Sequence, residues 1–122
     1  MTGLKYCVVG LIALLTALPV RAAELVMVEE AGCIWCARWN DEIAPAYPKT
    51  DEGKFAPLRR VDINDIPAEL HVARKVRLTP TFLIVEDNRE LARMEGYPGD
   101  EFFWPVLAGL LKDHTGFEGG TE

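Results

Sequence analysis

Two cysteines, Cys33 and Cys36, stand at the point where a short apolar segment gives way to a helical pattern. The segment before them, residues 25–28, reads Leu-Val-Met-Val and predicts a strand buried on both faces. From Cys33 to Ala44 there is no Gly or Pro, and large apolar residues recur every four positions, so a helix is predicted to open at or near Cys33. A buried strand that leads directly into a helix predicts a domain of the α/β class.

A second, amphipathic helix is predicted further along the chain. Ile66, Leu70, Ala73 and Val76 follow one another at intervals of four and three, which is the apolar stripe of a helix, and Pro67 falls in the first turn.

The order of the predicted elements defines the architecture. Asp87 and Asn88 form a turn that joins the last two strands as a hairpin, whereas the earlier connections are helical. The prediction is a mixed central sheet of about four strands with helices on both faces. The other predicted elements are strands at residues 58–63, 81–85 and 90–95, a loop with at most one helical turn at 49–56, and a terminal helix at 102–111.

The beginning of the chain has the pattern of a secretory signal peptide. Lys5 precedes the apolar residues 6–18. In residues 20–22, Val-Arg-Ala, the first and last side chains are the small residues at positions -3 and -1 of a cleavage site before Ala23. The alternative is a membrane anchor, but about 13 apolar residues fall short of the roughly 20 that a spanning helix needs.

The predicted organisation is a signal peptide over residues 1–22, one domain over 23–113 and a polar, Gly-rich, flexible tail over 114–122. Cleavage would remove Cys7 and leave an exported protein with two cysteines in an oxidising compartment.

The composition of the chain limits the classes of function that it can have. With 122 residues, of which 49% are hydrophobic, the chain has the size and composition of one globular domain. The formal net charge of -6 argues against nucleic acid as a partner, because phosphate binding needs clustered positive charge.

The spacing of Cys33 and Cys36 suits thiol-disulfide exchange. The N-terminus of a helix carries a partial positive charge that stabilises a thiolate, and Cys33 receives most of it. Cys36 lies one turn further in, where it can attack a mixed disulfide on Cys33. Cys33 is therefore predicted to be the nucleophile and Cys36 the resolving thiol.

Other functions of the Cys33–Cys36 pair have less support in the sequence. A structural disulfide closing so small a loop would constrain the unfolded chain little. Covalent haem is excluded because Ala37 stands where that attachment needs His. A metal would need further ligands, for which His71 and His114 are the only histidines of the chain. A copper metallochaperone that uses the same two cysteines is the alternative function.

Two motifs resemble those of the thioredoxin superfamily: residues 32–36, Gly-Cys-Ile-Trp-Cys, and residues 77–83, Arg-Leu-Thr-Pro-Thr-Phe-Leu. The resemblance implies a thioredoxin-like fold and a thiol-disulfide oxidoreductase without a cofactor. It also implies that Pro80 is the family's cis-proline and that Trp35, Thr79 and Pro80 contact the substrate. An ordinary proline at the start of a strand is the alternative for Pro80.

The chain departs from the family pattern in ways that bear on its redox poise. Gly32 replaces the common Trp, Ile34 and Trp35 replace Gly-Pro or Pro-His between the cysteines, and Met27 replaces a buried acid. Negative charge at Glu29 and at Glu30, just upstream, is expected to oppose thiolate formation. These departures favour a reducing or intermediate redox poise over that of a strong oxidant.

Within the superfamily the motifs are most similar to the small periplasmic SoxS-type thioredoxins of bacterial sulfur-oxidation systems. That resemblance implies a monomeric reductase that keeps the cysteine of a partner, the carrier protein of the thiosulfate-oxidising complex, active. A membrane protein of the CcdA/DsbD type would supply its electrons.

Overall fold

The computed structural model describes residues 22–119, together with Gly3, Gly10, Ile12 and Ala13. Most of the predicted signal peptide and residues 120–122 of the predicted tail lie outside the described residues. None of the helices in the described part has the length and apolarity that crossing a membrane requires. The elements in chain order are β1 (Ala23–Glu29), α1 (Ile34–Glu42), a 3-10 turn (Tyr47–Lys49), α2 (Asp51–Phe55), β2 (Leu58–Asp62), β3 (Thr81–Glu86), β4 (Arg89–Glu95) and α3 (Asp100–His114).

The four strands form one mixed sheet in the order β2-β1-β3-β4. β1 pairs with β2 in parallel and with β3 in antiparallel orientation, and β3 and β4 form an antiparallel hairpin. The hairpin residues Asp87 and Asn88 both have positive φ, 50° and 58°, which is typical of a tight two-residue turn. The predicted mixed sheet of four strands is confirmed.

β1 lies in the middle of the sheet and is buried on both faces, as the sequence predicts. Leu25 and Met27 belong to one hydrophobic cluster, whereas Val26 and Val28 belong to a second cluster on the opposite face. Successive side chains of a strand point to opposite faces, so an unbroken apolar run is what a doubly covered strand requires.

Aromatic side chains join the helices to the first face of the sheet. The Trp39 ring of α1 lies 5.3 Å from Phe82 of β3 and 5.9 Å from Phe103 of α3, measured between ring centroids. All three side chains are almost completely buried. Burial of each contributes about 1.5–3 kcal/mol, so this cluster fixes α1, and with it the cysteines, on the sheet.

The second face of the sheet carries no helix among residues 22–119, so the predicted helix over residues 66–76 is wrong, and so is the placement of helices on both faces. Residues 63–80 instead cross this face as turns and irregular backbone. Part of that backbone bonds to the edge of the hairpin: the His71 N–H donates to the Asn88 carbonyl (2.7 Å), and the Glu90 N–H donates to the His71 carbonyl (3.0 Å).

The apolar residues of this segment still cover the sheet, but not as a helical stripe. Leu70 and Val76 are buried in the second cluster, and Val72 packs against it. Ala73, which belongs to the predicted stripe, is exposed. The apolar side chains of the segment therefore cover this face of the sheet, while the backbone of His71 forms its hydrogen bonds with the hairpin.

Residues 49–56 contain a five-residue helix, α2, which agrees with the prediction of about one helical turn. The side chain of Thr50 caps it by accepting from the N–H of Gly53 (3.0 Å). A Cβ at Gly53 would lie 1.8 Å from the carbonyl oxygen of Tyr47, so only glycine fits this position. Glu52 of this polar segment is nevertheless buried, which its composition did not indicate.

The last helix, α3, runs one residue past the predicted end of the domain, to His114. Phe117, in the segment predicted as a tail, is buried and its ring lies 5.1 Å from that of Phe55. The described part of the tail therefore contributes an aromatic ring to the core.

Candidate active site

Cys33 caps the N-terminus of α1. Its backbone is extended, and its Sγ accepts a hydrogen bond from the N–H of Cys36 (3.1 Å). The chain reaches this position through a turn in which the Cys33 N–H donates to the carbonyl of Glu30 (3.2 Å). Gly32 has a φ of 81° in that turn, where side chains are disfavoured, and this accounts for glycine in place of the family's tryptophan.

The two cysteines form a disulfide bond with their Cα atoms 5.2 Å apart. They differ in exposure, because Cys36 is only 4% exposed and belongs to the core cluster, whereas Cys33 is partly exposed. The free N–H groups and partial positive charge at the start of α1 act on the Cys33 sulfur.

The register of the sheet brings residues 78–80, the proline loop, to the same edge of the sheet as the cysteines, the edge at which β1 and β4 end and β3 begins. Val28, near the end of β1, pairs with Thr81 at the start of β3, and Thr81 pairs with Glu95 at the end of β4. The loops that leave this edge therefore include both residues 30–33 and residues 78–80.

The proline loop is tied to the hairpin. The Thr79–Pro80 peptide bond is cis. The N–H of Gly96, directly after β4, donates to the carbonyl of Pro80 (2.8 Å), and the hydroxyl of Thr81 donates to the carbonyl of Leu78 (2.7 Å). Pro80 is buried and Thr79 is partly exposed.

Exposed apolar side chains lie on both loops of this edge. Ile34 is 76% exposed and Trp35 is 50% exposed in the dipeptide between the cysteines, and Leu78 of the proline loop is 43% exposed. Large apolar side chains left open on one edge of a domain are typical of a surface that contacts another molecule.

A polar network holds the Trp35 side of this surface. The guanidinium of Arg38 lies 5.6 Å from the centroid of the Trp35 ring, and its Nε donates to Oε1 of Glu42 (2.6 Å). The hydroxyl of Tyr97 donates to Oε2 of the same carboxylate (2.6 Å).

These contacts shift the pKa values of all three groups. The hydrogen bonds from Tyr97 and then from Arg38 lower the pKa of Glu42, and the bond to Glu42 raises the pKa of Arg38. Burial, followed by the carboxylate of Glu42, raises the pKa of Tyr97 well above its usual range. The spacing of Arg38 and Glu42 on a helix could have suggested their pairing from sequence, but nothing in the sequence indicated Tyr97.

The guanidinium of Arg60 contacts both β1 and α1, the helix that begins at the cysteines. Met27, at the position of the family's acid, is fully buried, and Nη1 of Arg60 lies 3.6 Å from its sulfur. The same guanidinium pairs with Glu29 (2.5 Å) and donates to Oδ1 of Asn40 in α1 (2.8 Å). The expected opposition of Glu29 to thiolate formation is therefore reduced, since its charge is balanced by Arg60.

The structure does not bring histidine ligands to the cysteine pair. His71 bridges to Arg89 at the edge of the hairpin, and His114 ends α3. Over the part of the chain that the structure describes, no three His, Cys, Asp or Glu residues form a group that could hold a metal ion.

Comparison with known proteins agrees with this geometry. No protein-family model matches the chain, and no curated protein matches it. Among solved structures, the chain is similar to the periplasmic thioredoxin SoxS from Paracoccus pantotrophus, in the crystal structure of its reduced form. The two are 50% identical, the match covers 74% of this chain and 96% of the other, and the TM-score is 0.72. With this similarity, a thioredoxin-like sheet and the Cys33–Cys36 pair, the chain belongs to the thioredoxin superfamily as a SoxS-like thiol-disulfide oxidoreductase.

Proposed function

We propose that the chain works in the periplasm and reduces a disulfide bond of a partner protein, with Cys33 as the nucleophile and Cys36 as the resolving thiol. The observation that carries this assignment of roles is the difference in exposure between the partly exposed Cys33 and the buried Cys36. A partner can contact the first sulfur but not the second.

The exchange takes place in two steps. The Cys33 thiolate attacks one sulfur of the partner's disulfide, that bond breaks, and the partner's other sulfur leaves as a thiolate that takes a proton from water. Cys36 then gives its proton to water and attacks the Cys33 sulfur, which breaks the mixed disulfide and forms the Cys33–Cys36 bond. The partner's second sulfur leaves as a thiolate that takes a proton from water. The partner gains two electrons, and the chain loses them.

Local hydrogen bonding supports Cys33 as the thiolate. Its Sγ accepts from the backbone N–H of Cys36, and a hydrogen bond to an ionised sulfur is stronger than one to a neutral sulfur. The position at the start of α1 adds the favourable charge of the helix terminus.

Trp35, Thr79 and Pro80 are the substrate-binding residues of this proposal. Trp35 is half exposed between the cysteines, and Thr79 is partly exposed in the loop that leads into β3. The exposed apolar side chains of Trp35 and Leu78, with the partly exposed Thr79, suit an extended peptide segment. Pro80 is itself buried, and its carbonyl ties the loop to Gly96.

The proposed partner is the carrier protein of a thiosulfate-oxidising system, and the proposed electron donor is a membrane protein of the CcdA/DsbD type. The 50% identity to a periplasmic thioredoxin SoxS supports this assignment, as do the motifs at residues 32–36 and 77–83. The chain acts as a monomer and needs no cofactor in this scheme.

The direction of electron flow is tested by the reduction potential of the Cys33–Cys36 couple. We expect about -200 to -270 mV, because the apolar Ile34 and Trp35 give the thiolate no neighbouring histidine. Equilibration with glutathione or dithiothreitol buffers measures the potential. A control with Ile34→Pro and Trp35→His should give a less negative potential, and a value above about -150 mV for the native chain would reverse the assigned direction.

Export is tested by the mass of the mature protein. We expect cleavage after Ala22, which leaves β1 intact because that strand begins at Ala23. Intact-mass measurement of the protein from the periplasmic fraction gives the answer directly. A periplasmic species that retains Lys5 would contradict cleavage at this position.

A further inference from the structure

Tyr97 connects the proline loop with the helix that begins at the cysteines. It directly follows Gly96, whose N–H donates to the carbonyl of Pro80 (2.8 Å). Its own hydroxyl donates to Oε2 of Glu42, the last residue of α1 (2.6 Å). The backbone next to Tyr97 is therefore bound to one side of the site, and its side chain is bound to the other.

The hydroxyl of Tyr97 has a defined position because its ring is fixed in the core. The side chain is buried, and its ring lies 6.2 Å from that of Phe103 in an edge-to-face arrangement. Burial, followed by the carboxylate of Glu42, raises the pKa of Tyr97, and the bond from Tyr97 lowers the pKa of Glu42. At neutral pH the donor therefore keeps its proton and the acceptor keeps its charge.

Glu42 extends this constraint to the dipeptide between the cysteines. Its Oε1 accepts from Nε of Arg38, one turn earlier on the same helix (2.6 Å). The guanidinium of Arg38 lies over the ring of Trp35, 5.6 Å from its centroid. Both of these side chains are about half exposed, so they would sample several rotamers without this chain of contacts.

We propose, on the basis of the proposed function, that Tyr97 is a positioning residue for Trp35. Through Glu42 and Arg38 it holds the ring in the orientation in which the ring contacts the backbone of a bound partner. A side chain that is already held loses less conformational entropy on binding than one that is free to rotate. Loss of the Tyr97 hydroxyl therefore weakens the binding of a peptide but leaves the chemistry at the Cys33 sulfur unchanged.

Two disulfides with the same leaving group test this role. One is an acetylated and amidated peptide of five residues, with a central cysteine joined to 2-thiopyridine and glycine elsewhere, so that only its backbone meets Trp35. The other is N-acetylcysteinamide joined to 2-thiopyridine. We expect Tyr97→Phe to lower the second-order rate constant of the reduced chain about threefold to tenfold for the peptide. The small disulfide should react at the native rate.

A double variant tests whether Tyr97 acts through Arg38. Arg38→Gln removes the guanidinium from the ring and should slow the reaction with the peptide by a similar factor. Addition of Tyr97→Phe to Arg38→Gln should cause no further loss, because the side chain on which the hydroxyl acts is already absent.

Tyr47→Phe is the matched control. It also removes a tyrosine hydroxyl that donates over 2.6 Å, in this case to the carbonyl of Ala56. The rate constants for both disulfides should stay at their native values in this variant. A loss for the peptide as large as that in Tyr97→Phe would contradict the proposal.

The orientation of Trp35 can be observed without any reaction. The chain has three tryptophans, so labelling with 5-fluorotryptophan gives three fluorine resonances, and the one absent from Trp35→Phe belongs to Trp35. Tyr97→Phe should shift or broaden this resonance. Tyr47→Phe should leave it unchanged, because the ring of Tyr47 lies beside Trp39 and Trp104 instead.

The outcomes separate this role from the proposed function. An unchanged Trp35 resonance in Tyr97→Phe would overturn the positioning role. An equal loss of rate with both disulfides would overturn it as well, since the hydroxyl would then act on the thiolate of Cys33. If the native chain reduced neither disulfide, the reductase function would fail, and the fluorine resonances would still decide whether Tyr97 positions Trp35.

Discussion

Replacing Cys36 by serine should leave Cys33 covalently bound to its protein partners, whereas replacing Cys33 by serine should trap none. In the Cys36→Ser variant the nucleophile is intact, but no thiol remains to attack the mixed disulfide. Non-reducing gels of periplasmic extract should then show adducts that disappear on addition of thiol. Mass spectrometry of those adducts would identify the partner.

The geometry makes Cys36→Ser a clean substitution. The hydrogen bond to the Cys33 sulfur comes from the backbone N–H of residue 36, so serine keeps it. The helix terminus that favours the thiolate is also unchanged. Serine and cysteine differ by one atom, and although position 36 is buried, a serine hydroxyl on a helix can donate to a backbone carbonyl one turn earlier, so the fold should tolerate the exchange.

The Cys33→Ser variant is the matched control, because it removes one sulfur from the same pair. Its remaining thiol is buried and should form no adducts. Equal trapping by both variants would mean that the roles of the cysteines are misassigned. Absence of adducts from both would mean that the pair is structural.

The sheet could be predicted from the sequence because the apolar and polar residues of each strand indicate which of its faces are buried. The apolar run at residues 25–28 has cover on both faces, and the Asp87–Asn88 dipeptide favours the positive φ values that close the hairpin. For the same reason the cysteines were predictable at the start of α1, since strand, turn and helix follow each other without interruption.

The segment at residues 63–80 was not predictable from periodicity. Ile66, Leu70, Ala73 and Val76 have a helical spacing, yet the backbone of His71 bonds to the hairpin and excludes a helix there. Spacing reports which side chains are apolar, but not which distant strand will satisfy the backbone.

The polar contacts of the site were hidden for a similar reason. The Tyr97–Glu42 hydrogen bond joins residues 55 positions apart, and the ion pair between Arg60 and Glu29 joins two neighbouring strands. Such pairs depend on the assembled sheet and leave no local pattern in the sequence.

The segment that replaces the helix depends on a buried ion pair. On β4 the side chains of Arg93 and Glu90 are only 4% and 3% exposed, and Nη2 of Arg93 lies 2.6 Å from Oε1 of Glu90. The same nitrogen donates to the carbonyl of Arg74 (2.8 Å). Glu90 in turn accepts from the N–H of Ala73 (3.2 Å), so the pair fastens residues 73 and 74 to the hairpin.

Arg93→Ala should therefore lower the free energy of unfolding by about 3–5 kcal/mol, because it leaves the Glu90 carboxylate buried without its cation. Urea unfolding measures the change. Arg74→Ala is the control: it removes an ion pair with Glu95 whose side chains are 63% and 41% exposed, and it should cost less than about 1 kcal/mol. The double variant Arg93→Met, Glu90→Leu should recover much of the lost stability, since both buried charges are then absent. If Arg93→Ala costs no more than Arg74→Ala, the pair does not hold the segment, and the Thr79–Pro80 loop must be positioned by its bond to Gly96 and by the apolar contacts of Leu70 and Val76.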